Sequence, residues 1–85
     1  MQNYLNTVNT QVGESLVVIN ATPSINWLVK TCPFNHSLGY EIYLDERKIG
    51  VVSYKTTHLI WERTQIGIRL TAIFQDSSEE IWWIK

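Results

Sequence analysis

The residue types that carry catalysis or bind metals are few in this chain, and they are scattered. A structural zinc site combines several Cys and His ligands, but the sequence has one cysteine, Cys32, and two histidines, His36 and His58, set far apart. The four glycines stand singly and form no glycine-rich phosphate loop. The pattern predicts no metal site and no cofactor, and it favours a surface position for both histidines.

Nucleophilic and acid–base chemistry also lacks a recognisable set of residues. Cys32 follows Lys30 and Thr31 in a context typical of a strand end, and no base beside it would activate the thiol. We interpret Cys32 as a buried structural residue. Asp76 and Glu80 could form the carboxylate pair that glycosidases use, but acids that flank a turn are ordinarily solvated. We therefore expect that the chain is not an enzyme.

The composition favours a small, single β domain as the scaffold. Twenty-five of the 85 residues are Ile, Val or Thr and ten are aromatic, whereas only two are Ala. β-Branched and aromatic side chains suit a pleated, half-buried surface, and Ala is the strongest helix former. The net charge of −1 argues against binding to nucleic acid or to an anionic membrane mainly through charge.

Short apolar or alternating stretches separated by polar turns predict about seven strands. They cover residues 16–20, 25–31, 40–44, 48–54, 57–63, 66–74 and 80–85. This spacing predicts an all-β fold, a small antiparallel β-sandwich or barrel, over a single domain at residues 14–85. In residues 1–13, Tyr4, Val8 and Val12 fit one helical stripe and one strand face equally well, but three Asn and two Thr weaken a helix. We therefore expect an N-terminal arm or strand there.

The alternation also predicts which side chains face the core. In the longest stretch the inward residues are Ile66, Ile68, Leu70, Ala72 and Phe74. Ile49 and Val51 are expected to point inward from the return strand of a hairpin. The charged run from Asp45 to Lys48 is expected to be its exposed tip, with the tight turn at Glu46 and Arg47.

That hairpin, Gly39 to Gly50, resembles one found in small β-sandwich modules of the PEGA-like kind. The sequence Tyr-Glu-Ile-Tyr-Leu-Asp-Glu-Arg-Lys-Ile-Gly places an aliphatic strand, an acidic turn and a return-strand glycine in the order typical of those modules. The usual turn glycine is replaced, since Glu46 and Arg47 stand there. The resemblance implies a non-catalytic accessory or binding module and transfers no functional residues.

The tryptophans are the residues most informative about function. Trp27 and Trp61 fall on inward faces and are predicted to be core. Trp82 and Trp83 are neighbours on one strand, so their rings point to opposite faces, and the flanking Ile81 and Ile84 make both faces apolar. Leu16 to Ile19 is also apolar on both faces. Two explanations stay open: the N-terminal arm or a second buried face covers these strands, or they form a contact surface.

We therefore expect a protein-binding or assembly module, with self-association through the aromatic C-terminal strand as one form of it. The predicted partner interface comprises Val17, Ile19, Trp82, Trp83 and Ile84. The first alternative is a carbohydrate-binding, lectin-like module that stacks an exposed Trp on a sugar. The second is single-stranded nucleic-acid binding on a barrel face, which would need Lys30, Lys55 and Arg69 to cluster.

A cytoplasmic location and no membrane partner are the remaining expectations. A single cysteine cannot form an internal disulfide, and small secreted domains usually depend on several. Residues 1–13 contain neither Lys nor Arg and no apolar run of signal-peptide length.

Overall fold

The chain folds into strands throughout the part that the structure describes. The computed structural model describes residues 8–12, 15–22, 24–32 and 39–84, and within these ranges it contains no helix. The eight strands are β1 (Val8–Val12), β2 (Leu16–Asn20), β3 (Trp27–Thr31), β4 (Tyr40–Leu44), β5 (Arg47–Val52), β6 (Thr56–Thr64), β7 (Gly67–Phe74) and β8 (Glu79–Ile84). The predicted all-β fold is confirmed.

A search of the same residues for a helix long and apolar enough to cross a membrane finds none.

The strands form a two-layer sandwich with one parallel pairing. The larger sheet has the order β1–β2–β6–β7–β8, and the smaller has the order β3–β4–β5. Neighbouring strands are antiparallel except β2 and β6, which run parallel. Parallel neighbours require a long crossover connection, and here the smaller sheet is that connection. β1 accounts for the strand beyond the seven predicted, and it extends the larger sheet at its edge.

The hydrophobic core lies between the two sheets and contains most of the residues predicted for it. Trp61 is completely buried, and Trp27 stacks on it from the smaller sheet with ring centroids 6.5 Å apart. Phe74 is half-buried and packs against the core. The buried apolar residues are Leu16, Val18, Ile25, Val29, Cys32, Tyr40, Ile42, Leu44, Val52, Leu59, Trp61, Ile68, Leu70 and Ala72.

The inward position predicted for Val51 is wrong, and a β-bulge is the reason. Ile42 pairs with Gly50 while Tyr43 pairs with Lys48, so Ile49 is an extra residue on β5. The extra residue reverses the alternation beyond it. Val51 is therefore exposed, whereas Gly50 faces the core. A Cβ at Gly50 would lie 2.7 Å from the Trp82 ring, so this close approach of ring and backbone needs glycine.

The inward position predicted for Ile66 is also wrong. β6 ends at Thr64, which pairs with Gly67, so Gln65 and Ile66 form the connecting turn. Ile66 is 68% exposed. The alternation of β7 extends by chance into the turn, and nothing in the apolar pattern itself marks the boundary.

The β4–β5 hairpin has an exposed charged tip, as expected, but the turn lies one residue earlier than predicted. Leu44 pairs with Arg47, which leaves Asp45 and Glu46 as the two turn residues. Their φ angles are 52° and 68°. Two positive φ values are typical of a type I′ turn, which matches the twist of the flanking strands but disfavours residues with a Cβ.

Glu46→Gly should therefore stabilise the protein by about 1 kcal/mol, because it removes the cost of a left-handed conformation. The free energy of unfolding, from urea denaturation, measures the effect. Arg47→Gly is the matched control, since Arg47 begins β5 and should lose stability by up to about 1 kcal/mol. Equal changes in the two variants would contradict this assignment of the turn.

Candidate functional site

The candidate site is the outer face of the larger sheet, which faces away from the smaller sheet. Residues that pair directly across neighbouring strands share a face, so the registers place the side chains in three rows. The central row is Ile19, Ile60, Thr71 and Ile81; one flanking row is Val17, His58, Ile73 and Glu79, and the other is Glu62, Arg69 and Trp83. We call these eleven residues the outer face. Three of the four central residues are isoleucines and the fourth is Thr71, while His58 and the charged residues lie in the flanking rows. On β1, Gln11 pairs with Val17 and borders this face.

Three of the five residues predicted for the interface lie together on the outer face. Val17 and Ile19 come from β2, and Trp83, which is 48% exposed, comes from β8. Trp82 and Ile84 point the other way, are half-buried and pack against the core. The choice between the two rings, which the sequence left open, is thus settled as Trp82 inward and Trp83 outward.

A salt bridge holds Arg69 beside Trp83. Glu62 and Arg69 pair across β6 and β7, and the Arg69 Nε donates to Glu62 Oε1 over 3.1 Å. The Arg69 guanidinium carbon lies 5.8 Å from the centroid of the Trp83 ring, within range of a cation–π interaction. Arg69 thus occupies one side of the ring, and its charge is compensated by Glu62. The exposed Trp is therefore presented in a fixed, nearly neutral setting.

The outer face of the smaller sheet has a different chemistry. Lys48 Nζ lies 3.1 Å from Glu41 Oε2, and the Tyr43 hydroxyl donates to the same carboxylate. The Lys48 hydrogen bond holds the pKa of Glu41 below its ordinary value of 4.5. Lys30 Nζ lies 4.9 Å from the centroid of the Tyr43 ring. This face therefore mixes the charges of Lys30, Glu41 and Lys48 with the exposed apolar residues Leu28 and Val51, and it differs from the larger sheet's outer face in its higher share of charge.

Ile60, Ile73 and Ile81 belong to the outer face but were not among the predicted interface residues. Ile60 lies between Leu59 and Trp61, so the middle of β6 is apolar on both faces, as β2 and β8 are. That signal was present in the sequence. The sequence did not show that Ile60 lies beside Ile19, because this placement depends on the parallel pairing of two strands that are distant in the chain.

No described part of the chain covers the outer face. The eight strands all belong to the two layers, and β1 lies beside β2 within the sheet rather than across it. Thus residues 8–12 of the N-terminal arm do not act as a cover. Residues 1–7 lie outside the described residues.

The residues considered for chemistry remain separate in the structure. Cys32 is a buried free thiol, as predicted. His58 is half-buried on the outer face, with Nδ1 2.9 Å from Thr57 Oγ1, and His36 lies outside the described residues. Asp76 accepts hydrogen bonds from Ser78 in its own turn, which hold the pKa of that carboxyl below its ordinary value. Across the described ranges, no group of three or more His, Cys, Asp and Glu side chains could hold a metal ion.

The three cations considered for nucleic-acid binding do not form one patch. Lys30 is on β3 in the smaller sheet, Arg69 is on the outer face of the larger sheet, and Lys55 lies in the turn before β6. Lys30 and Arg69 therefore point away from opposite sides of the sandwich.

Two small clefts also open on the surface. One, of about 290 Å³, is lined by the polar residues Ser53, Lys55, Gln75, Asp76 and Ser78 together with Phe74. The other, of about 280 Å³, has Arg47 and Arg63 above an apolar floor that includes Ile68 and Ile84. Both lie just below the size typical of small-molecule pockets, about 300–1,000 Å³. We therefore take the outer face as the candidate site. A comparison of the chain with protein-family models, curated proteins and solved structures finds no match.

Proposed function

We propose that this chain is a non-catalytic protein-binding module that contacts its partner through the outer face. The observation that carries the proposal is the central row of three isoleucines and Thr71, in which Ile81 is exposed and the others are half-buried, with the Glu62–Arg69 pair and His58 beside it. Protein interfaces have the same anatomy, in which an apolar centre is surrounded by polar residues. Large exposed apolar patches on small proteins commonly mark such contacts.

The setting of Trp83 supports contact with a protein rather than a sugar. A sugar platform needs an open ring face with hydrogen-bonding side chains at its border. Here Arg69 lies over the ring, and the nearest outer-face neighbour on the same strand is Ile81. An aromatic ring beside aliphatic residues and an arginine is typical of the residues that dominate protein–protein binding energy.

The experiment compares capture by two matched variants. Ile60→Lys places a charge at the centre of the outer face, and Val51→Lys places the same charge on the exposed face of the smaller sheet. Each immobilised chain is exposed to a lysate of its source cells, and the dissociation constant is then measured with the purified partner. We expect Ile60→Lys to weaken binding at least about tenfold, since a charge must be desolvated there.

Val51→Lys should bind like the unaltered chain, and urea unfolding should show that both variants are folded. The proposal would be contradicted if both variants lost affinity for the partner equally, or if Ile60→Lys left the dissociation constant unchanged. A glycan array and an oligonucleotide titration at low salt complete the test, and binding in either would favour the corresponding alternative.

A further inference from the structure

β8 is an edge strand that begins with the charged residues Glu79 and Glu80 but has an unprotected apolar second half. It is hydrogen-bonded to β7 on one side, and it ends the larger sheet. Its last four residues, Ile81–Ile84, include no charged residue and no proline, and its pairing with β7 contains no bulge. By contrast, the β5 edge of the smaller sheet has a bulge and begins with Arg47 and Lys48. Bulges and charges are the usual protection of edges against pairing with another chain.

We infer that β8 pairs antiparallel with β8 of a second copy of this chain, around a twofold axis at Trp82. The inference goes beyond the proposed function, because the contact lies at the edge of the larger sheet rather than on its outer face. Such a contact is self-complementary, as twofold interfaces between identical subunits are. It would join two five-stranded sheets into one continuous sheet and would place the two outer faces side by side.

The pleat limits the possible registers. Directly opposed residues in an antiparallel pair share a face, so the residue on the axis must oppose itself. With Glu80 on the axis, like charges would be opposed, which is destabilising. With Ile81 on the axis, Glu79 would oppose the partner's Trp83 and Glu80 the partner's Trp82. Both of these registers bring carboxylates into the apolar part of the contact.

A register centred on Trp83 would pair only residues 82–84 of β8, whereas the register centred on Trp82 pairs residues 80–84 and keeps the carboxylates at the margin. Ile81 then opposes the partner's Trp83 on the outer face, and Trp82 opposes its own counterpart on the inner face. Glu80 opposes the partner's Ile84 at the margin. Pairs of aromatic and β-branched residues are among the favourable cross-strand combinations. In this register the apolar residues on both faces of β8 contact apolar residues of the partner strand.

The test combines sedimentation with cysteine cross-linking on the full chain. Sedimentation velocity should show, as concentration rises, a shift from a particle of 9.9 kDa to one of twice that mass. Ile81→Cys and Trp83→Cys chains, each in a Cys32→Ala background, are then mixed under mild oxidation. In the mixed dimer one Ile81–Trp83 pair is replaced by two opposed cysteines within disulfide distance, while the other pair stays intact.

The mixed disulfide should therefore form faster than a disulfide in either variant alone. Ile60→Cys in the same background is the control, because position 60 lies two strands from the edge and would cross-link only if outer faces docked on each other. A monomer at all concentrations, or a mixture that cross-links no faster than the single variants, would overturn the pairing of β8. Cross-linking through position 60 alone would also overturn it, while agreeing with the proposed outer-face contact. The two proposals can fail separately. If β8 does not pair but the chain still captures another protein, and Ile60→Lys weakens that capture, then the proposed function is supported without the β8 contact.

Discussion

Leu70→Ala should lower the free energy of unfolding by about 2–5 kcal/mol, the range for a buried leucine cut back to alanine. Leu70 is 1% exposed, and on the inner face of the larger sheet it lies between Trp61 on β6 and Trp82 on β8. Two large rings that belong to separate strands cannot both move into the vacated space without disturbing the sheet. The loss therefore includes the transfer free energy of the side chain and the cost of a residual cavity.

Urea denaturation measures this loss, and the next residue along β7 provides the control. Thr71 faces outward between Ile60 and Ile81, so Thr71→Ala should cost no more than about 1 kcal/mol, the span of strand propensity. If Leu70→Ala cost less than about 0.5 kcal/mol, or if Thr71→Ala cost more than Leu70→Ala, the two faces of β7 would have to be exchanged.

Local alternation was sufficient to predict the faces of most strands. In β7, a regular period-two pattern correctly predicted that Ile68, Leu70 and Ala72 are buried, because the strand has one face on a single core. The prediction failed at Val51, where a bulge adds one residue and reverses the alternation. It also placed the hairpin turn one residue late, because Glu46 adopts a left-handed backbone conformation that is unusual for glutamate, although Asp45 is a common residue at such a position.

The candidate site was harder to predict because it is built from pairings distant in sequence. Apolar residues on both faces of β2 and β8 correctly identified Val17, Ile19 and Trp83 as outward apolar residues. These residues share one surface because β6 pairs in parallel with β2, although all three strands of the smaller sheet lie between β2 and β6 in the sequence. No short stretch of sequence contains that crossover. The inward orientation of Trp82 follows from its pairing with the buried Leu70, and the space for its ring depends on Gly50, a residue of the opposite layer.

Trp82→Ala and Trp83→Ala should affect different properties of the protein: the first should mainly lower the stability of the fold, and the second should mainly weaken association. Trp82 is half-buried against the core and its ring lies over Gly50, so its removal should lower the free energy of unfolding by about 3 kcal/mol. Trp83 is 48% exposed and contacts Arg69 at 5.8 Å. Its removal should cost the monomer no more than about 1 kcal/mol, the value of an exposed cation–π contact.

Association should depend more strongly on Trp83 than on Trp82. Trp83→Ala should weaken self-association, or binding to a captured partner, by about 30-fold, which corresponds to about 2 kcal/mol for an aromatic residue buried in an interface. Sedimentation measures the association, and urea denaturation at a concentration where the chain is monomeric measures the stability. Trp83→Phe is the conservative control, because it keeps an aromatic ring beside Ile81 and should retain most of the affinity. If both alanine variants lose stability alike and neither alters association, then Trp83 is a structural residue and the outer face is not the binding surface.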